Sequence, residues 1–284
     1  MKNLKPTAHI YIPDGKAEDE ALARITHLGV GAHPDDLELL AGHAILECFQ
    51  RPDRSFAGVT CSDGANSLRS ALHANRSAEE MKAIRSQEQQ QAAKAGAYGA
   101  LIQLDYPSRD IQDSKNPALE QDLLAIMEAC RPQAVYSHNP ADKHDTHVAV
   151  IAALIRAVRW MNLEQRPKKL YGCEVWRGLD WLEDKEKIRF DLSGADPLLP
   201  SLLREFRSQI DGGKRYDAAF LGRLRANATF QDPHAADQTK FALFAMDLTP
   251  LIGDNTMDIA DFVAAQLGRF QTDVIARIRK FQNY

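Results

Sequence analysis

The chain has 284 residues, 44% apolar and 26% charged, an ordinary globular balance that excludes a wholly disordered protein and allows one large core. Its formal charge of −4 comes from intermixed acids and bases. With no basic stripe to neutralise a row of phosphates, nucleic acid is not an expected partner.

Residues 1–16 are a polar lead-in punctuated by Pro and Gly. They contain no apolar segment of signal-peptide length, and no later run reaches membrane-spanning length, so a cytoplasmic protein without a membrane partner is the default expectation. The run 25–31, ITHLGVG, predicts a short buried strand, followed at once by His33-Pro34-Asp35-Asp36 and then by helical spacing over 37–49. The same order recurs. Residues 56–60 predict a strand ending in the turn Ser62-Asp63-Gly64, and 76–95 a long helix rich in Gln, Glu, Lys and Ala. A third strand is expected at 101–104, a helix at 118–130, and a fourth strand at 134–137 that runs into His138-Asn139-Pro140. Residues 148–161 are helical and apolar along most of their length.

Strands alternating with helices of this length predict an α/β fold: a Rossmann-like, mostly parallel sheet with helices on both faces. Beyond residue 169 the pattern loosens, with strands expected at 170–176, 187–192 and 241–248 and helices at 197–209 and 216–228. This part is expected to extend the same sheet, giving one domain over 1–284 with its core at about 25–160 and a C-terminal extension at 161–284. Ile259, Phe262, Val263, Leu267, Phe270, Val274, Ile275 and Ile278 then fall at helical spacing, so an amphipathic helix should close the chain and cover something apolar in the core. Cys48, Cys61, Cys130 and Cys173 form no C-x-x-C pair and are expected as reduced, mostly buried thiols.

In a doubly wound sheet, ligands bind beyond the C-terminal ends of the strands, and both His/Asp-rich segments fall in such loops. His33 and Asp36 lie three apart at a strand-to-helix junction, where both side chains can grip one ion, and Pro34 stiffens the turn between them. His147, at the start of the helix after the fourth strand, can supply a third ligand, with His144 one turn before it. Three protein ligands and an open position describe a catalytic zinc site, whose bound water falls to a pKa of about 7. Asp35, leaving the backbone in another direction from Asp36, is placed to accept the proton of that water.

On these residues the sequence resembles the PIG-L (LmbE-like) family of metal-dependent amino-sugar de-N-acetylases. The family's Ala-His-Pro-Asp-Asp is matched at 32–36, with Glu38 also in place, and its later His-Pro-Asp-His-like element is matched at both histidines of His144-Asp145-Thr146-His147. Thr60-Cys61-Ser62-Asp63-Gly64 resembles the family's Thr-x-Gly turn, and Arg85-Ser86-Gln87-Glu88 its Arg-x-x-Glu helix opening. The resemblance implies His33, Asp36 and His147 as zinc ligands, with Fe2+ or Co2+ as other ions for the site, and Asp35 as general base. It also implies His144 as the group that steadies the oxyanion, and Arg85 and Asp110 as substrate contacts. The carboxylate expected just before the second histidine is displaced by one residue, so Asp142 or Asp145 is expected to orient and charge His144 instead.

The expected activity is removal of an acetyl group from an N-acetylglucosamine-type amino sugar or its conjugate, a small-molecule partner; a homo-oligomer stays open. Two rivals are carried forward: hydration of an unsaturated carboxylic acid on the same fold and metal, and a catalytically silent sugar-binding module. Trp176 and Trp181 are expected to pack in or flank the pocket, His138 to stand behind the ligands, and His234 to lie in a loop that could border the substrate.

Overall fold

The computed structural model describes residues 4–195, 197–230 and 232–282. In chain order the elements are β1 (His9–Tyr11), α1 (Glu18–Ala23), β2 (His27–Gly31), α2 (Asp36–Leu40), α3 (Gly42–Cys48), β3 (Phe56–Ser62), α4 (Ala78–Ala95) and β4 (Ala100–Tyr106). Then come α5 (Ser108–Gln112), α6 (Ala118–Cys130), β5 (Ala134–His138), α7 (Asp145–Trp160), β6 (Lys169–Cys173) and β7 (Lys187–Asp191). The chain continues with α8 (Leu198–Leu203), α9 (Arg207–Ile210), α10 (Tyr216–Thr229), β8 (Ala242–Asp247), α11 (Thr249–Gly253) and α12 (Ile259–Phe281).

The strands form one sheet in the order β1-β4-β3-β2-β5-β6-β8-β7. The run β4-β3-β2-β5-β6 is parallel, while β1, β8 and β7 join antiparallel. The chain therefore starts its parallel sheet in the middle, at β2, winds outward through β3 and β4, and returns to the other side of β2 with β5. The crevice between the loops after β2 and β5 is the topological switch point, where doubly wound sheets bind their ligands.

Alternation along the strands feeds two cores. Leu28 and Val30 of β2 and Ile102 of β4 face one cluster, which α6 and α7 cover with Leu123, Ile126, Ile151 and Leu154. Phe56 and Leu101 face the other, built with Leu37, Leu40, Ile45 and the α8 leucines. Gly58 is what lets α2 lie so close to the sheet, because a Cβ there would stand 2.5 Å from Leu37 Cδ1. Gly31 does the same for the site, since its Cβ would meet that of Asp36 at 2.9 Å.

Several boundaries differ from the sequence expectation, for local reasons. The helix expected over 37–49 is two helices, broken at Ala41, whose φ of −109° and ψ of 17° are not helical. Gly42 then opens α3 against Leu199 of α8. The helix expected over 197–209 is likewise divided into α8 and α9 at Phe206. The long helix starts at Ala78, capped reciprocally by Ser77 and Glu80. β1 does not show in the polar lead-in, because it is a three-residue edge strand held only by β4.

The closing helix departs most. It forms as expected, but of its 23 residues only Gln266 is buried, so it does not serve as a lid on the core. Only its first turn, with Ile259 and Phe262, packs on the main cluster. All four cysteines are buried and unpaired. No helix among the described residues is long and apolar enough to cross a membrane.

Candidate metal centre

The loop leaving β2 is held open by bonds to its neighbours. The Ala32 amide donates to His138 Nε2 at 2.8 Å, and the Ser62 amide to the Ala32 carbonyl at 2.7 Å. Asp35 then takes a left-handed conformation, φ 95°, which a residue with a Cβ adopts only under constraint. Gln89 of α4 supplies that constraint by accepting the Asp35 amide at 2.9 Å. The twist sends Asp35 and Asp36 in different directions. Asp36 folds back so that its Oδ2 accepts the His33 amide at 2.7 Å.

The loop after β5 is built from polar side chains that each accept an amide two residues on: Asn139 from Ala141, Asp142 from His144, and His144 from Thr146. The last of these caps α7 and turns His147 into the switch point.

There the two loops meet. His33 Nδ1 lies 3.1 Å from His147 Nε2 and 3.3 Å from Asp36 Oδ2, and His147 Nε2 lies 3.5 Å from Asp36 Oδ2. Ligand atoms at about 2.0–2.1 Å from a tetrahedral ion stand about 3.3 Å apart, so the triangle has the size of one face of such a site. The donor chemistry fits as well: two imidazole nitrogens and a carboxylate oxygen converge, with His144 close to His33 and His147, and His138 close to Asp36 and His147. His147 is prepared for the role, because its Nδ1 is paired with Asp142 Oδ2 at 3.1 Å. A carboxylate behind a ligating histidine fixes the tautomer that leaves Nε2 free.

Charge follows the same pattern. Burial opposes ionisation of Asp36, but the imidazoles of His147 and His138 outweigh it and hold the carboxyl well below its usual range. Burial likewise lowers His147, yet Asp36 and Asp142 raise it overall. The centre favours a positive charge among these groups. His138, stacked on His147 at 3.8 Å, is pushed down to about 4, by burial first and then by His147. It stays neutral behind His147, its Nε2 accepting the Ala32 amide.

Asp35 stands beside this triangle, not in it. Burial raises its pKa to about 6, against the pull of Arg85, whose guanidinium donates to Oδ2 at 2.5 Å. A cavity of about 460 Å³ opens over the centre. Its floor holds His33, Asp35, Asp36, His144 and His147, and Trp176, Lys214, Tyr216 and Arg223 form an outer wall.

Residues 28–158 match the family model PIG-L, described as GlcNAc-PI de-N-acetylase. Over this segment the chain resembles the PIG-L family. Among solved structures the chain is similar to N,N'-diacetylchitobiose deacetylase from Pyrococcus horikoshii, at 17% identity and a TM-score of 0.62, over 85% of this chain and 90% of that one. It is also similar to GalB, the 4-carboxy-2-hydroxymuconate hydratase from Pseudomonas putida KT2440, at 16% identity and a TM-score of 0.63, over 79% of this chain and 96% of that one. A conserved protein from Thermus thermophilus aligns at 17% identity and a TM-score of 0.61, over 78% and 93% of the two chains. At such identities the likeness is one of fold. No curated protein sequence matches the chain.

The PIG-L segment spans β2 to α7 and so carries every residue of the triangle, while the outer wall of the cavity comes from beyond it. Arg85 is neither solvated nor pointed at open solvent: it is 1% exposed, and beyond Asp35 it donates to the Pro34 carbonyl and to Glu88, the latter at 2.7 Å. Its terminal nitrogens hold the Pro34–Asp35 loop, and Arg85 also lines the cavity. Asp110 does not line the cavity. On the single turn and a half of α5 it falls about 200° around the axis from Ser108, and Ser108 and Gln112, one turn apart on the other face, line the cavity instead.

His144 also differs from expectation. Asp142 serves the ring of His147 and only the backbone of His144, and Asp145 is exposed at the first position of α7. Among the described residues no carboxylate bonds to the His144 ring, which burial and the neighbouring His33 and His147 shift below its ordinary value. With Nδ1 accepting the Thr146 amide, the neutral ring carries its proton on Nε2.

Two supporting residues escaped the sequence. Gln89 accepts from Asp35 and donates to Glu38 at 2.9 Å, and Tyr98 donates to the same Glu38 oxygen at 2.7 Å. Burial raises Glu38 to about 8, so it is a neutral acid at the back of the loop. The signal was present in α4, where Arg85, Glu88, Gln89 and Ala92 share a buried face that an exposed helix would not make so polar. Trp176 does flank the cavity, with Lys143 and Lys214 at 5.2 and 5.3 Å from its ring, whereas His234 is exposed and away from the lining.

Proposed function

We propose that the chain is a metal-dependent hydrolase that removes the acetyl group from an N-acetylated amino sugar of the N-acetylglucosamine type, or from its conjugate. The observation that carries this reading is the convergence of His33, Asp36 and His147 within 3.5 Å of one another, with the Asp35 carboxylate beside them in the same cavity. The PIG-L segment and the neighbour named for N,N'-diacetylchitobiose support an acetamide as the group attacked.

His33, Asp36 and His147 would hold the ion; the mixed nitrogen and oxygen donors suit zinc, with Fe2+ and Co2+ as the other ions they accommodate. Bound there, a divalent ion supplies Lewis acidity, polarising a carbonyl and making water a nucleophile near neutral pH. Arg85 holds one oxygen of Asp35, which leaves the other to take the proton of the attacking water. Asp35, with a pKa of about 6, is ionised at neutral pH and still basic enough for that task.

His144 donates from Nε2 to the oxygen that gains negative charge as the carbonyl carbon becomes tetrahedral. Asp35 then returns the proton to the amine as the C–N bond breaks, releasing acetate and a free amino group. Trp176 and Phe220 offer apolar surface to the sugar or its substituent. Because Trp176, Lys214 and Tyr216 wall a cavity whose floor is PIG-L sequence, the C-terminal extension belongs with the core in one functional domain.

One observation favours a second reading. The His144 ring has no carboxylate partner, and a hydratase shares the fold, so addition of water to an unsaturated carboxylic acid is the alternative. A silent binding module would have no use for the strained Asp35, held by Gln89 and Arg85 next to the ligand triangle. Incubating the metal-loaded protein with N-acetylglucosamine conjugates should liberate acetate. Loss of the ultraviolet absorbance of a conjugated acid, without acetate release from any acetamide, would decide for the hydratase.

A further inference from the structure

The Arg85 guanidinium lies between two buried carboxylates. Nη2 donates to Asp35 and to the Pro34 carbonyl, and Nη1 donates to Glu88 Oε2 at 2.7 Å, one turn further along α4. Glu88 in turn takes two bonds from α9: Oε1 accepts the Ser208 amide at 2.6 Å, and Oε2 the Ser208 hydroxyl at 2.8 Å. The first N–H groups of a helix have no carbonyl within it, so the Ser208 amide needs an outside partner. Phe206, between α8 and α9, closes the same pocket, its ring centre 5.5 Å from the guanidinium carbon of Arg85.

These groups are almost closed to water, with Arg85 and Ser208 each 1% exposed and Glu88 9%. A buried ion pair keeps one geometry when the lone pairs it does not use itself find donors, and Ser208 supplies both donors to Glu88. Gln209 anchors Ser208 from the far side: its amide nitrogen is 3.3 Å from Ser208 Oγ and 3.2 Å from the carbonyl of Leu68 on the cavity wall.

We propose that Ser208 is a positioning residue for the base: through Glu88 and Arg85 it fixes the direction of the Asp35 carboxylate. A residue of the C-terminal extension, beyond the PIG-L segment, thereby completes the catalytic constellation. The inference rests on the reading of Asp35 as base. Ser208 does not line the cavity and bonds to no residue of the ligand triangle, so it acts only by what it holds.

Acetate release by the zinc-loaded full chain from an N-acetylglucosamine conjugate tests it. A base misplaced by about 1 Å costs up to about 100-fold in rate, so Ser208→Ala, which keeps the amide, should lower kcat about 3–10-fold. Ser208→Thr, which keeps the hydroxyl, should restore it, and KM and zinc affinity should hold throughout. Placed in Asp35→Asn, Ser208→Ala should leave the residual rate unchanged, because the group it positions is gone. An equal fold-loss in both backgrounds, as a merely structural lesion gives, overturns the proposal, as does a wild-type kcat in Ser208→Ala. Crystals of Glu88→Gln decide without an assay. Glutamine puts one donor where both oxygens now accept, so either Arg85 or the Ser208 amide loses its acceptor. The Asp35 carboxylate should turn from its wild-type direction while His33, Asp36 and His147 keep their places, and an unmoved Asp35 overturns the proposal. A wild type that releases no acetate overturns the hydrolase reading instead, and the crystals still decide the positioning.

Discussion

Asp142→Asn separates what this structure assigns from what the sequence pattern alone would assign. The Asp142 carboxylate is buried, 3.1 Å from Nδ1 of His147, and its second oxygen accepts the His144 amide. Asparagine keeps the size and one acceptor but removes the charge that makes His147 a strong ligand. Losing an oriented carboxylate behind a ligating histidine costs about 10–100-fold in metal affinity, or about 1.4–2.7 kcal/mol. Because an amide oxygen can still hold the Nδ1 proton, Asn should fall at the lower end and Ala at the upper. Competition with a chromogenic zinc chelator reads the affinity directly, and turnover at saturating metal should change far less. If Asp142 instead charged His144, the pattern would invert: metal affinity would hold while turnover at saturation collapsed. That outcome would refute the assignment.

Asp35→Asn should retain metal, since Asp35 is outside the triangle, but lose about 10²–10⁴-fold in turnover; a normal rate removes its role as base. With the Asp35 pKa at about 6, kcat/KM should fall as the pH drops through that value, and a profile flat from neutrality to well below it would count against the same role. Glu38 is neutral in the fold up to about 8 but ionises from about 4.5 in the unfolded chain, so the folded state binds the extra proton between those values. Stability should therefore decline as pH rises across that window, by up to about 1.4 kcal/mol per unit, and Glu38→Gln should flatten the denaturation series; an unchanged slope contradicts the neutral acid. Gly58→Ala forces a methyl against Leu37, which is fully buried and cannot swing away, so it should lower stability by about 1–3 kcal/mol in urea unfolding. An unaltered midpoint would show that α2 can lift off the sheet freely.

The parallel core was legible because each buried strand is a short apolar run closed by a turn and each helix long enough to show its period. The meeting of His33, Asp36 and His147 was legible for a related reason: both loops follow strands that flank the switch point, so position along the chain already implies proximity in space. What escaped depends on distances that no local pattern encodes. Asp142 lies two residues from His144 and five from His147, and only the turn into α7 decides which ring it reaches. Arg85 was expected to meet the substrate, and the crowding of α4 against the Pro34–Asp35 loop is what buries it beside Asp35. Asp110 has the right residue type on the wrong side of a short helix. The closing helix had the correct period but no indication that the core beneath it was already covered by α11 and the end of α7.

The central claim is that His33, Asp36 and His147 enclose one ion. Anomalous diffraction from crystals grown with zinc, recorded on both sides of its absorption edge, tests this most directly. The account predicts a single strong peak at about 2.0–2.2 Å from His33 Nδ1, Asp36 Oδ2 and His147 Nε2. A peak elsewhere, or full zinc occupancy surviving His33→Ala and His147→Ala together, would contradict it.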